Sequence, residues 1–135
     1  MRGRLFIALL LACLGPLGGG ERPADVAIKP VVYVLPVREN IMPPLVYLVR
    51  RGVKEAMAAK ARVLVIDMHT KGGRVDTCIE IVELIDKFPG RTVTFVNNEA
   101  YSAGAFISFA TSEIYMAPRA VIGAAAPILM SPGGA

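Results

Sequence analysis

Three runs of the chain, "VVYVLPV" (31–37), "RVLVIDM" (62–68) and "RTVTFVN" (91–97), are rich in β-branched residues and short. The first two are almost wholly apolar, which marks strands buried on both faces of a covered sheet. Helical spacing fills the gaps between them. Pro43 and Pro44 suit a helix start, where a missing N–H costs nothing, and Leu45, Leu48, Val49, Val53 and Met57 then recur as an apolar stripe. After the second strand, "HTKGG" (69–73) is a turn, and a helix with Val75, Cys78, Val82 and Ile85 on its buried face runs to about Phe88, broken by Pro89-Gly90. A short helix is expected from about Ser102, a fourth short strand at "EIYMAP" and a fifth within "AVIGAAAPIL". Strands alternating with helices predict an α/β layered fold with a mostly parallel sheet and flanking helices.

The N-terminus is read differently. Arg2 and Arg4 precede an apolar run from Leu5 to Leu14 and a tail of small residues, the layout of a secretory signal over residues 1–20. The run is shorter than the ~20 residues that span a bilayer. "LLAC", ending at Cys13, loosely suggests a lipoprotein box. Residues 21–30 are expected to be a polar linker and 31–135 the working domain. Export accounts for part of the mean hydropathy of +0.53 and of the net charge. Without Arg2 and Arg4 the basic excess falls from four to two, and no basic run or aromatic-interleaved patch is present, so no nucleic-acid partner is implied. Cys78 is then the single cysteine, which excludes an internal disulfide, and its place on an apolar stripe predicts a packed thiol. One histidine and one cysteine cannot furnish a typical metal site, and no cofactor is implied. Asp76, Glu80, Glu83 and Asp86 fall on the outer side of their helix and are not read as paired catalytic carboxylates. Arg50, Arg51, Lys54 and Lys60 read as a solvated face.

Ligands of parallel sheets collect at the carboxyl ends of the strands. Two loops meet that description: Gly72-Gly73 after the second strand and Ala100–Gly104 after the third. Adjacent glycines let backbone approach a ligand, and a helix start offers unpaired N–H groups. The N–H of Gly73 or Gly72 on one side and that of Ala103 on the other could form an oxyanion hole, with Ser102 pointing into the same space. Gly104 and Ala103 leave room for a carbonyl. A serine that opens a helix is also the ordinary N-cap, so from these residues Ser102 is either a cap or a nucleophile.

The blocks "VVYVLPVRENIMPPL", "VLVIDMHTKGGRVDTCIEIVELI", "VTFVNNEAYSAGAFISFATSEIYMAP" and "VIGAAAPI" resemble successive segments of the NfeD-type membrane-bound serine proteases. These are relatives of ClpP and signal peptide peptidase A with the ClpP/crotonase fold. The resemblance implies Ser102 as nucleophile, Gly72 and Gly73 as the oxyanion loop, Ala103 as the second donor, and a base that is a lysine downstream of "IGAA". It implies hydrophobic peptide or protein substrates, notably the tail of stomatin-like membrane proteins, a homo-oligomer, and membrane association on the periplasmic or extracellular side. The sequence departs from the family pattern in having Lys71 where a proline is usual and His69 where an aspartate is usual. Every lysine precedes Ser102, so the 135-residue chain is expected to be inactive alone. His69 and Lys71 are the nearest substitutes for a base. Two further functions compete: a non-catalytic peptide-binding or assembly module, and a crotonase-type acyl-CoA enzyme, which the secretory signal disfavours.

Overall fold

The computed structural model describes residues 30–126. The expected signal, residues 21–29 of the linker, and the end of the fifth block from residue 127 onward lie outside the described residues. The elements run β1 (Val32–Val37), α1 (Pro43–Ala58), β2 (Val63–Thr70), α2 (Val75–Asp86), β3 (Arg91–Tyr101), α3 (Ala103–Phe109), β4 (Glu113–Met116) and β5 (Val121–Gly123). The sheet order is β1-β2-β3-β4, with β5 also paired to β3, and every pairing is parallel. The expected α/β fold with a mostly parallel sheet is therefore present.

Register explains which side chains make the core. Leu35, Ile66 and Thr94 align across β1, β2 and β3, as do Val37, Met68 and Val96. All six are buried and belong to the helix-covered face, with Val49 of α1, Ile81 and Ile85 of α2 and Ile107 of α3 fully enclosed against it. Each large aliphatic side chain so enclosed contributes about 1.5–3 kcal/mol.

Three sequence expectations need correction. β1 is an edge strand whose Val32 and Val34 are half exposed, because among the described residues no helix packs over that face. In α1, Leu48 and Met57 are exposed, while Val46, Gly52 and Ala56 face inward. A Cβ on Gly52 would lie 2.5 Å from Leu35 Cδ1, so the helix seats on β1 through its smallest residue. An apolar-stripe count cannot see that preference. In α2 the buried side is Thr77, Cys78, Ile81, Leu84 and Ile85, which leaves Val75 57% exposed and Val82 only half-buried.

β3 also runs four residues past its expected end. Its register with β2 moves from Met68↔Val96 to Thr70↔Ala100, so β3 carries two extra residues in a bulge. Polar side chains hold the bulge: Asn97 Nδ2 donates to Asp67 Oδ1 (3.2 Å), and the Asn98 amide lies 3.4 Å from His69 Nε2. Bulges re-aim a strand beside functional sites. Below this one, Val93–Val96 pairs with β4; above it, Glu99–Tyr101 pairs with β5.

Candidate functional site

The upper end of β3 delivers the chain to Ser102. Tyr101 aligns with Gly123 of β5, and Ser102 N–H donates to the Gly123 carbonyl at 2.9 Å. That bond fixes the turn from β3 into α3. Ser102 stands at the helix N-cap position with φ +51° and ψ −117°, and its side chain makes no capping hydrogen bond. A non-glycine residue held there stores about 1–3 kcal/mol of strain, which persists only where neighbours over-determine it. A true cap would sit in the extended region with its oxygen on a helix N–H. The N-cap explanation of Ser102 therefore fails on geometry. A sharp strand-to-helix turn of this kind is the way α/β-hydrolases lift a serine hydroxyl above the sheet.

The Gly72-Gly73 loop lies against it. A Cβ on Gly72 would come within 2.7 Å of Ser102 Cβ and 3.3 Å of its Oγ, so only glycine lets the two loops meet this closely. The φ of +110° at Gly72 asks for glycine independently. On the other side, a Cβ on Gly73 would strike Ile41 O at 2.1 Å. Ile41 N–H donates to Gly72 O and Arg74 N–H donates to Ile41 O, both at 2.8 Å, so the residue before α1 clamps the loop.

Donor allocation separates the two glycines. Gly72 N–H is taken by Thr70 Oγ1 at 3.1 Å. Gly73 N–H has no partner among the described residues, and neither has Ala103 N–H, one of the orphan donors at the start of α3. The loop brings Gly72 to Ser102, while the free N–H belongs to Gly73.

Ser102 and Ala103 border a groove of about 400 Å³ between α2 and α3. Val75, Ile79, Val82, Phe106 and Ala110 supply its apolar wall, and Glu83 is its charged member. Cys78 closes the floor, its thiol donating to Ala103 O at 3.5 Å, and burial pushes the thiol pKa up. Sequence reasoning missed this groove. A second apolar line, Val75, Ile79 and Val82, runs down α2 beside the buried one, and a helix apolar over so much of its girth was the signal available.

His69 and Lys71 are not brought to the groove. They line a separate polar pocket of about 170 Å³ with Arg38, Glu39, Asn40, Thr70 and Glu99, where His69 Nε2 lies 3.6 Å from Glu99 Oε1. Among the described residues no helix is long and apolar enough to cross a membrane, and no group of three potential ligands could hold a metal ion.

Comparison with known proteins gives this geometry a context. Residues 31–135 match the family described as NfeD1b, N-terminal domain. A curated relative, membrane protein NfeD1b from Bacillus subtilis (strain 168), is 38% identical over 100 residues, which is 74% of this chain and 23% of the relative. The 1510-N membrane-bound stomatin-specific protease, as a lysine-to-alanine mutant in complex with a substrate peptide, aligns with a TM-score of 0.72 and 31% identity over 80% of this chain and 51% of its own. A mutant of ClpP1 from Listeria monocytogenes aligns at 0.56 with 18% identity over 58% of this chain and 46% of its own, a likeness of fold. The chain thus spans about half the length of the solved relatives and a quarter or less of the curated one.

Proposed function

The chain belongs to the NfeD1b N-terminal domain family, and from that premise we propose that it carries the nucleophile and oxyanion-binding part of a serine endopeptidase site acting on hydrophobic segments of membrane-associated proteins. The observation that carries the proposal is Ser102, held in a strained strand-to-helix turn against Gly72, where among the described residues its hydroxyl makes no capping bond and the N–H groups of the adjoining Gly73 and Ala103 have no partner. In the proposed step, Ser102 Oγ attacks the peptide carbonyl, and those two N–H groups receive the oxyanion. Each such donor is typically worth about 3 kcal/mol of barrier. Gly72 and Gly104 keep side chains out of that space. The apolar groove supports a hydrophobic peptide as substrate, and the stomatin-specific relative suggests a stomatin-like protein as its source.

Ser102 still needs a base. Of the groups around the groove, the Cys78 thiol is pushed toward its neutral form and Glu83 stands toward the far end from the serine turn. The proposed base is the lysine of a Ser–Lys dyad, brought from outside residues 30–126 and kept neutral by desolvation. Export by the N-terminal signal, tethering to a membrane and self-association complete the proposal. A second reading, a non-catalytic peptide-binding module, draws on the same groove.

The test is hydrolysis of a quenched fluorescent apolar peptide by the 135-residue chain and by the product of its gene read beyond codon 135. Turnover by the longer product alone, abolished by Ser102→Ala, is expected. Turnover that survives Ser102→Ala would remove Ser102 as nucleophile. Activity of the 135-residue chain that disappears in Ser102→Ala would overturn the need for an added base. A stop directly after codon 135, with peptide binding unchanged in Ser102→Ala, would leave the binding module.

A further inference from the structure

We infer that the groove beside Ser102 takes an extended apolar peptide carrying a lysine or arginine three or four residues from the bond presented to Ser102, with Glu83 selecting the cation. This specificity rests on the peptide-binding reading above and adds a charge requirement to it. α2 and α3 each leave the carboxyl end of a strand in one parallel sheet and return along it, so they run side by side in the same direction. Their starts, Val75 and Ala103, mark the Ser102 end of the groove, and Glu83 marks the other along α2. Glu83 follows Val75 by eight helical positions, a rise of about 12 Å. An extended peptide covers ~3.3 Å per residue, so that distance is three to four residues.

The wall between those ends is apolar, with Ile79 54% exposed and Val82 half-buried. Glu83 is the charged residue lining the groove. It makes no ion pair among the described residues, not even with Lys87 one turn away, and Asp86 beside it makes none either. A lysine or arginine suits this arrangement, because its methylene stem can lie on Ile79 and Val82 while its head reaches the carboxylate. An acidic residue at the same place would meet Glu83 and Asp86 together.

The test is fluorescence anisotropy of labelled apolar octapeptides with the 135-residue chain, a single lysine, glutamine or glutamate being moved through the peptide. At the matching position the lysine peptide should bind about threefold tighter than the glutamine one, in line with a solvent-exposed ion pair. The glutamate peptide should bind weakest, and both 0.5 M salt (on the order of a 4 Å screening length) and Glu83→Gln should erase the differences. Equal binding of all three peptides would overturn the charge requirement and leave the peptide groove standing. A lysine preference retained in Glu83→Gln would overturn the role of Glu83. Binding of no peptide would overturn both readings. A dimer in sedimentation velocity that dissociates in Phe106→Asp would assign the groove to a second copy of the chain and overturn the proposal as well.

Discussion

Replacing Gly104 by alanine would place a methyl group where the structure has no room for it. The added Cβ would lie 2.3 Å from Thr70 Cγ2, about 1 Å short of ordinary contact. Neither partner can retreat easily. Thr70 is buried, β-branched and tied through Oγ1 to Gly72 N–H, and Gly104 sits in the first turn of α3, just after the strained residue Ser102. Overpacking of this kind costs about 1–3 kcal/mol, whereas glycine to alanine in a helix by itself gains ~1 kcal/mol. With both partners held, the clash outweighs the propensity, and Gly104→Ala should destabilise by about 1–2 kcal/mol. In a domain of this size that is a fall in Tm of roughly 4–8 °C per kcal/mol. Thr70→Ser removes the methyl and keeps the hydroxyl on Gly72. In that background Gly104→Ala should become neutral or stabilising, a coupling of about 1–2 kcal/mol in a double-mutant cycle. Urea unfolding followed by circular dichroism measures all four corners. An increase in stability from Gly104→Ala alone, or the same effect in both backgrounds, would refute the packing of α3 on β2 through this glycine.

Ser102→Gly should stabilise the protein by about 1 kcal/mol by releasing backbone strain, while Ser102→Ala should not, and equal effects in a thermal melt would mean that the turn is unstrained. The Arg74 guanidinium, helped by Thr77 N–H, holds the Asp76 carboxyl at about 2, down from 3.8. Its contribution is thus complete above pH ~4 and is lost as pH falls through ~2, so Asp76→Asn should flatten acid unfolding in that window; an unchanged profile counts against the pairing. Cys78, buried and with its pKa raised, should react with iodoacetamide at pH 8 far more slowly in the native chain than in urea, and mass spectrometry that finds equal labelling would place the thiol outside the core.

Strained and packed against Gly72, Ser102 depends on residues distant in sequence. Gly123 lies twenty-one positions on and pins its N–H, while Ile41 lies sixty-one positions back and clamps the loop that packs against it. The bulge at Asn97–Glu99 adds a third constraint by extending β3 to Tyr101. The first two are backbone contacts and the third is held by the Asn97 and Asn98 side chains, so substitutions that keep strand propensity at these places can still misplace the serine.

Much of this was legible in the amino-acid order. Apolar β-branched runs spaced by helical segments determined a parallel α/β sheet, and the glycine pair and serine had to fall at successive strand ends, because side-chain period and turn chemistry are local properties. The burial of Cys78 was legible for the same reason. The turning of α1 and α2 about their axes was not. The smallest residue at a crossing decides it, as Gly52 does against Leu35, and that choice exists only once strand and helix meet. Nor could the sequence distinguish the glycine whose N–H stays free. The Thr70 hydroxyl takes one of them, and the apolar line left facing outward on α2 becomes a groove only because α3 stands beside it. Local order specified these residues; long-range packing and the allocation of hydrogen bonds decided which of them lie against one another.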